Sequence, residues 1–185
     1  MIYDSCWLPG FVDMGDFPDW ASYEDELYRI FRETVVEGSP EFGGLPVRIR
    51  RHPMEYGREE AFWHVTCQDY AKDGQRLPDI RRCERVRWVR AFIDNCECAR
   101  PECLECAGMM MWSAAFGSKR RVKILLEEER YVVILEPRGE YVLLITAYYV
   151  DHDHSLRKLV KEYEREKQRR APERTPSDTP STHGR

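Results

Sequence analysis

The stretch YVVILEPRGEYVLLITAYYV, residues 131–150, decides the fold of this chain. It holds two runs rich in Val, Ile, Leu and Tyr, at 131–136 and 141–150, on either side of the polar pair Arg138-Gly139. β-branched and aromatic residues favour strands, and a short polar connection with glycine favours a hairpin. The stretch therefore predicts two adjacent antiparallel strands.

Four segments before this hairpin also have strand-like composition. They are residues 45–51, 62–67, 109–115 and 121–128. Apolar and polar residues alternate in most of them, as expected where one face of a strand is buried. Gly117-Ser118 provides a short turn between the last two segments. The last two segments and the hairpin predict an antiparallel meander of four strands, within a sheet of about four to five strands.

Helical periodicity lies on both sides of these strands. Apolar residues recur at helix spacing from about residue 20 to 36 and again in residues 79–95, where Asp79 has the position of an N-cap. A last helix begins at Asp153 or Ser155. The sequence therefore predicts the α+β class: N-terminal helices packed on the sheet, followed by a C-terminal helix.

Composition and charge limit the function classes. The chain has 185 residues, 42% of them hydrophobic, and no apolar run of membrane-spanning length, so we expect a cytoplasmic protein without a membrane partner. Seven cysteines, an odd number, favour a reducing compartment over a disulfide framework. Nucleotide-binding glycine loops and the GxSxG and HExxH motifs are absent from the sequence.

The net charge of −4 is unevenly distributed. Residues 1–45 hold ten acids and two bases (−8), whereas residues 46–95 hold eight acids and eleven bases (+3). This separation is compatible with a polyanion site that the acidic segment partly shields, or with two ordinary solvated faces. Residues 171–185 are rich in Pro, Ser and Thr, which predicts a disordered tail.

Four cysteines lie within eleven residues, with the spacing C-x-C-x4-C-x2-C. They are Cys96, Cys98, Cys103 and Cys106. Four thiolates can complete a tetrahedral shell around Zn²⁺, and such a closed shell leaves no position for water or substrate. The sequence therefore predicts a structural zinc in a small loop; disulfides, reduced thiols and a redox role are the alternatives.

Four features could carry chemistry. In a strand at 62–67, His64 and Thr66 would share one face, as proton transfer with an oriented partner requires, although a half-buried structural histidine is the alternative. Arg121 and Lys123 are candidates for a phosphate clamp at the start of a strand. Thr146 shares a strand face with Tyr148.

The fourth feature is a stripe on the helix at 79–95. Arg81, Arg85, Trp88 and Phe92 fall on one face of this helix. Arginines beside a tryptophan suit phosphate contact and base stacking. The alternative is an amphipathic helix whose tryptophan is in the core and whose arginines pair with surface carboxylates.

Taken in order, several motifs resemble those of one protein family. They are FWHVT (62–66), RLPDIRRCERVRW (76–88), ERYVVILEPRGEYVLLITAYYV (129–150) and a basic helix that ends near KEYEREK (161–167). This order resembles phage- and mobile-element-associated ribonuclease toxins of the barnase–EndoU–colicin–RelE superfamily. The resemblance covers residues 55–168, about two thirds of the chain. The cysteine loop lies between matched segments and has the character of an insertion.

The resemblance implies helices against a curved antiparallel sheet with an RNA-cleaving site on its concave face. It places a catalytic set at His64, Thr66, Arg82, Arg85, Thr146 and Tyr149. Trp88, Arg121 and Lys123 would contact the substrate. Stripe geometry favours Arg81 as the site arginine and motif register favours Arg82, which we take.

The function expected from this resemblance is a metal-independent, toxin-like endoribonuclease. The ribose 2′-OH would attack the adjacent phosphorus and leave a 2′,3′-cyclic phosphate, with His64 in proton transfer. RNA, with tRNA among the candidates, and an antitoxin or regulator protein would be the partners. The alternative is a non-catalytic, zinc-containing module that binds nucleic acid or protein. The expected parts are an acidic segment (1–45), a nuclease domain (46–170) that includes the cysteine loop (96–106), and the tail.

Overall fold

A computed structural model describes residues 7–68, 76–97 and 108–170 of the chain. The α+β class predicted from the sequence is confirmed. The helices are α1 (Trp20–Phe31), α2 (Glu60–Thr66), α3 (Ile80–Cys83), α4 (Val86–Asn95) and α5 (Asp153–Arg170), with a 3-10 turn at Met14–Asp16 and a π-helical segment at Arg32–Val36. The strands are β1 (Glu41–Phe42), β2 (Leu45–Ile49), β3 (Cys67–Gln68), β4 (Leu77–Pro78), β5 (Met109–Phe116), β6 (Lys119–Leu126), β7 (Tyr131–Pro137) and β8 (Val142–Tyr149).

Six of these strands form one curved sheet in the order β1-β2-β8-β7-β6-β5. Strands β5 to β8 make the predicted antiparallel meander. The sheet has more strands than the four to five predicted, and β2 pairs with β8 in parallel rather than antiparallel orientation. Strand β8 therefore lies inside the sheet, although it is the last strand in the chain.

A β-bulge in the hairpin of strands β7 and β8 sets which side chains of β8 face each side of the sheet. Ile134 pairs with Thr146, whereas its neighbour Leu135 pairs with Leu144, so that Ile145 is the extra residue. Leu144 and Ala147 both belong to the main core. The alternation after the bulge turns Thr146 and Tyr148 to the opposite face, as the sequence predicts.

The two faces of the sheet are covered by different helices. Helix α4 packs on one face, over a core that contains Ile124, Tyr131 and Leu135, and α1 packs against α4. Helix α5 packs on the other face, where Leu159 joins Trp112 and Val132 in a smaller cluster. Both faces are thus buried over part of their area, and each cluster excludes water from one side of the sheet.

The segment predicted as a strand at 62–67 is helix α2, and that prediction is wrong. A short apolar run cannot be assigned from periodicity alone, and burial decides the outcome here. The rings of Phe62 and Phe31 lie 5.8 Å apart between centroids, and Phe62 and Val65 are fully buried. As a consequence, His64 and Thr66 point in different directions, because residues two apart lie on opposite sides of a helix.

The predicted helix at 79–95 is interrupted. Asp79 is its N-cap as predicted, since the side chain accepts hydrogen bonds from the backbone N–H groups of Arg81 and Arg82. The helix is broken between α3 and α4, at Glu84 and Arg85, where the Arg85 backbone leaves the helical conformation.

The acidic N-terminal segment shares the core of the rest of the molecule. Tyr23 is fully buried, and its hydroxyl donates to the carbonyl of Val12 at 2.9 Å. Carboxylates of α1, Glu24 and Asp25, form ion pairs with Arg58. Within the described residues, the negative charge of this segment is therefore partly used to hold α1 against the loop before α2.

Candidate functional site

A cavity opens where strands β2 and β8 separate. The two strands pair only as far as Ile49 and Leu144, and helix α2 packs against the remaining length of β8. The N–H of Ala61 donates to the carbonyl of Arg50 at 3.0 Å, which holds the start of α2 at the end of β2. The cavity has a volume of about 450 Å³. Its lining residues are Arg50, His64, Arg82, Arg121, Leu144, Ile145, Thr146 and Tyr148.

Two side chains secure the C-terminal end of α2 beside the cavity. The Thr146 hydroxyl donates to the carbonyl of His64 at 2.7 Å. Nη1 of Arg82 donates to the carbonyl of Cys67 at 2.7 Å and to that of His64 at 3.2 Å. A cation at the C-terminus of a helix also interacts favourably with the helix dipole. The backbone position of His64 is therefore set by both residues.

The imidazole of His64 has an oriented partner. Its Nε2 lies 3.3 Å from Oε1 of Glu60, one helical turn earlier, and the His64 side chain is 31% exposed. The same carboxylate oxygen lies 3.6 Å from Nη1 of Arg50. A carboxylate at one ring nitrogen orients the imidazole. His64 can thus accept a proton at the cavity.

The charged side chains that line the cavity are basic. Among the described residues, its lining includes the guanidinium groups of Arg50, Arg82 and Arg121 and no carboxylate. Each arginine is paired with a carboxylate outside the lining: Glu60, Asp79 and Glu136, respectively. Guanidinium groups bind phosphate oxygens through planar, paired hydrogen bonds. The arrangement fits a phosphate group better than a neutral ligand.

Tyr148 is the tyrosine among the residues that line the cavity. The Cζ of Arg82 lies 5.3 Å from the centroid of its ring. Burial raises the pKa of Tyr148 above its ordinary value, and the nearby Arg82 partly opposes that effect. The phenol therefore stays protonated at neutral pH and can donate a hydrogen bond or a proton.

Two residues of the predicted catalytic set lie outside the cavity on the helices. Thr66 is 2% exposed, and its hydroxyl donates to the carbonyl of Phe62 at 2.8 Å within α2. Arg85 is also buried, and its Nη1 donates to the carbonyl of Arg81 at 3.0 Å. Both side chains have structural partners, and neither lines the cavity.

Two aromatic residues of the prediction belong to the main core. Trp88 is 2% exposed, and its Nε1 donates to the carbonyl of Pro9 at 2.7 Å, so it has no face open for a base. Tyr149 lies on the core side of β8, where the Cζ atoms of Arg81 and Arg85 lie 4.5 Å and 4.9 Å from its ring centroid. The tyrosine that lines the cavity is its neighbour Tyr148.

The remaining cationic candidates differ in whether they line the cavity. Arg82 and Arg121 line the cavity, which agrees with the motif register that preferred Arg82 to Arg81. Lys123 does not line it: its Nζ lies 2.6 Å from Oε2 of Glu162 on helix α5. Lys123 therefore connects the sheet to the C-terminal helix.

Sequence reasoning missed Arg50, Glu60 and Tyr148 as parts of the site. A signal for two of them was present. Arg50 alternates with Ile49 in the strand-like segment 45–51, and Tyr148 shares a strand face with Thr146. Glu60 is one helical turn before His64, but its role becomes visible only when the segment is recognised as a helix.

The predicted zinc site falls mostly outside the described residues. Cys98, Cys103 and Cys106 are not described, whereas Cys96 is half-buried at the end of α4. Burial raises the pKa of Cys96 to about 11. Residues 7–68, 76–97 and 108–170 hold no group of three or more His, Cys, Asp or Glu side chains placed to bind a metal. Zinc at the cysteine loop stays a prediction.

Comparisons with protein-family models, with curated proteins and with solved structures find no match for this chain. Within the described ranges, none of the helices is long and apolar enough to cross a membrane. The function of the cavity therefore has to be argued from its own residues.

Proposed function

We propose that the protein is a metal-independent endoribonuclease whose active site is the cavity between α2 and β8. The observation that carries this proposal is the convergence of His64, three arginines and Tyr148 on one cavity. A base, a cationic phosphate site and a protonated donor are the groups that RNA transesterification requires. The resemblance of the motif order to ribonuclease toxins points to the same reaction.

The first step is binding of a phosphodiester by the arginines. Arg50, Arg82 and Arg121 surround the cavity, and their carboxylate partners hold them before a substrate arrives. Preorganised charge stabilises a transition state without reorganisation at the moment of reaction. Negative charge grows on the phosphoryl oxygens as the pentacoordinate phosphorus forms, so these arginines favour the transition state over the bound substrate.

In the chemical step, the ribose 2′-oxygen attacks the adjacent phosphorus. The proton of the 2′-OH passes to a ring nitrogen of His64, whose imidazole is oriented by Glu60, 3.3 Å from Nε2. The bond from phosphorus to the 5′-oxygen breaks, which leaves a 2′,3′-cyclic phosphate. The Tyr148 phenol transfers its proton to the departing 5′-oxygen, which leaves as a 5′-OH; solvent returns a proton to the phenolate, and His64 releases the proton it took up.

Cleavage of RNA in EDTA by purified protein tests this proposal. We expect wild-type protein to cleave RNA, and His64→Ala to lower kcat by about 10²–10⁴-fold, the usual contribution of a general base. His154→Ala is the matched control, because His154 is exposed at the start of α5 and does not line the cavity. Equal rates for wild type and His64→Ala would overturn the assignment.

The non-catalytic alternative gives a different result in the same experiment. A module that only binds RNA would retain RNA in a filter or anisotropy assay and produce no cut ends. The structural zinc, the RNA target and an antitoxin partner remain parts of the proposal. Growth inhibition on expression, lost in His64→Ala, supports the toxin role, whereas equal growth inhibition by the variant counts against it.

A further inference from the structure

A second cationic cluster adjoins the cavity around a buried carboxylate. Glu136 on β7 is 2% exposed at its side chain, and three cations surround it. Its oxygens lie 3.2 Å from Nε of Arg121, 3.5 Å from Nζ of Lys119 and 2.5 Å from Nη2 of Arg138. We call these four residues the Glu136 cluster. Arg121 belongs to both the cluster and the cavity, so the two sites are continuous.

The cluster has more positive charge than its carboxylate neutralises. Three cations around one carboxylate leave a formal charge of +2. Like charges at this separation repel one another, and the buried Glu136 holds them together before any ligand is present. The cationic ends remain accessible, since the side chains of Lys119 and Arg138 are 49% and 33% exposed. The excess charge is therefore available to an anion from solvent.

An exposed aromatic ring completes this surface. Phe116, the last residue of β5, is 55% exposed, and the Cζ of Arg121 lies 3.4 Å from its ring centroid. A solvent-exposed phenyl ring beside cations offers stacking to a nucleobase, worth about 1–3 kcal/mol per base in single-strand binding proteins. A phosphate and a base in one small area are the repeating features of a nucleic acid strand.

We infer that the Glu136 cluster and Phe116 form a subsite for the nucleotide next to the one cleaved: Lys119 and Arg138 bind its phosphate, and Phe116 stacks its base. This inference rests on the proposed function, because the cavity holds the scissile phosphate. It implies that the substrate is a single strand of several nucleotides rather than a dinucleotide. Glu136 is a positioning residue in this subsite.

The length dependence of RNA binding tests the subsite. His64→Ala protein prevents cleavage, and fluorescence anisotropy measures its affinity for a labelled RNA dinucleotide and hexanucleotide. On this background we expect Lys119→Ala and Arg138→Ala each to weaken hexanucleotide binding about tenfold more than dinucleotide binding. Each should also reduce the salt dependence by about 0.7 in the slope of log affinity against log salt.

Arg120→Ala is the matched control, because it removes the same charge from the next residue in β6. The Arg120 guanidinium donates to Ser113 at 3.0 Å and 2.9 Å and is not part of the cluster. We expect its effect to be the same for both RNA lengths. Phe116→Leu, which keeps an apolar side chain, should also weaken only the hexanucleotide.

Two results overturn the subsite. If Lys119→Ala and Arg138→Ala leave the affinity for both RNA lengths unchanged, the cluster does not bind RNA; if they weaken both lengths equally, the cluster contacts the cleaved dinucleotide and not the next nucleotide. Cleavage of RNA by wild-type protein in these cases leaves the proposed function standing. Conversely, length-dependent binding by a protein that cuts no RNA retains the subsite and rejects the nuclease.

Discussion

Thr146→Val is the most informative single substitution, because it removes one hydrogen bond that holds the backbone of His64. The bond joins the Thr146 hydroxyl to the His64 carbonyl at 2.7 Å. Valine keeps the shape of threonine and favours a strand. The carbonyl retains Nη1 of Arg82, at 3.2 Å, as a donor. We therefore expect an ordinary hydrogen-bond loss of about 1 kcal/mol in the free energy of unfolding, without a penalty for an orphaned carbonyl.

The expected effect on activity is larger than that on stability. Freed from β8, the end of α2 can shift, and small misplacements of a catalytic group reduce rates by one to two orders of magnitude. We expect kcat to fall about tenfold, while KM stays within about twofold because the arginines that bind phosphate are unchanged. Urea unfolding and steady-state cleavage of a defined RNA measure the two effects, and the melting temperature should fall by about 2–4 °C.

Thr66→Val is the matched control. This hydroxyl also donates to a backbone carbonyl, that of Phe62 at 2.8 Å, but it is buried away from the cavity. We expect a stability loss of similar size, about 1 kcal/mol, with kcat unchanged. Wild-type kcat in Thr146→Val, or an equal fall in Thr66→Val, would refute the idea that the contact between α2 and β8 positions His64.

Three other predictions concern stability and metal. Glu136→Gln should lower the free energy of unfolding by about 2 kcal/mol, because it leaves three cations without their buried carboxylate. Those cations hold the pKa of this carboxylate below its ordinary value. An unchanged midpoint of urea unfolding would contradict this prediction. Burial raises the pKa values of Tyr131 and Tyr148, so these phenols ionise at lower pH in the unfolded chain than in the folded protein. Their contribution to the free energy of unfolding is complete below the unfolded pKa of about 10 and should be lost as the pH rises above it. A constant midpoint of urea unfolding between pH 8 and 11 would oppose this prediction. Purified protein should bind one zinc ion, and Cys103→Ser should prevent this binding. EDTA should remove the zinc, and both changes should lower the melting temperature. Metal analysis that finds no zinc in the wild type rejects the site.

The sheet was predictable because its signals are local. The strands of the meander β5–β8 are rich in apolar and β-branched residues, and short polar turns join neighbouring strands, so pairing follows from chain order. The parallel pair β2–β8 was not predictable in this way. Its partners are separated by almost a hundred residues, and a five-residue strand has no signal for a distant parallel neighbour.

Helix α2 marks the limit of local pattern. Phe62, Trp63 and Val65 have the composition of a strand, but their burial against α1 and the sheet is better satisfied by a helix. The error had consequences for the site, because it placed Thr66 beside His64. The structure instead places Glu60, one helical turn before His64, 3.3 Å from its imidazole.

Of the residues taken from motif order, His64, Arg82 and Thr146 line the cavity, and so does Arg121, which was taken from strand alternation. Motif order was less informative about residue types that can either contact RNA or pack in the core. Trp88 and Arg85 are as useful for packing as for RNA contact, and only their burial decides between the two. Of the two adjacent tyrosines of β8, the one that shares a strand face with Thr146, Tyr148, lines the cavity.

The most direct test of the central claim is the chemistry of the product ends. An oligonucleotide with one ribose among deoxyriboses, treated with wild-type protein in EDTA, should be cut only after that ribose. Mass spectrometry should then find a 2′,3′-cyclic phosphate on one product and a 5′-OH on the other. An uncut all-deoxy strand agrees with this account, whereas a 5′-phosphate product or cleavage without any ribose would contradict it.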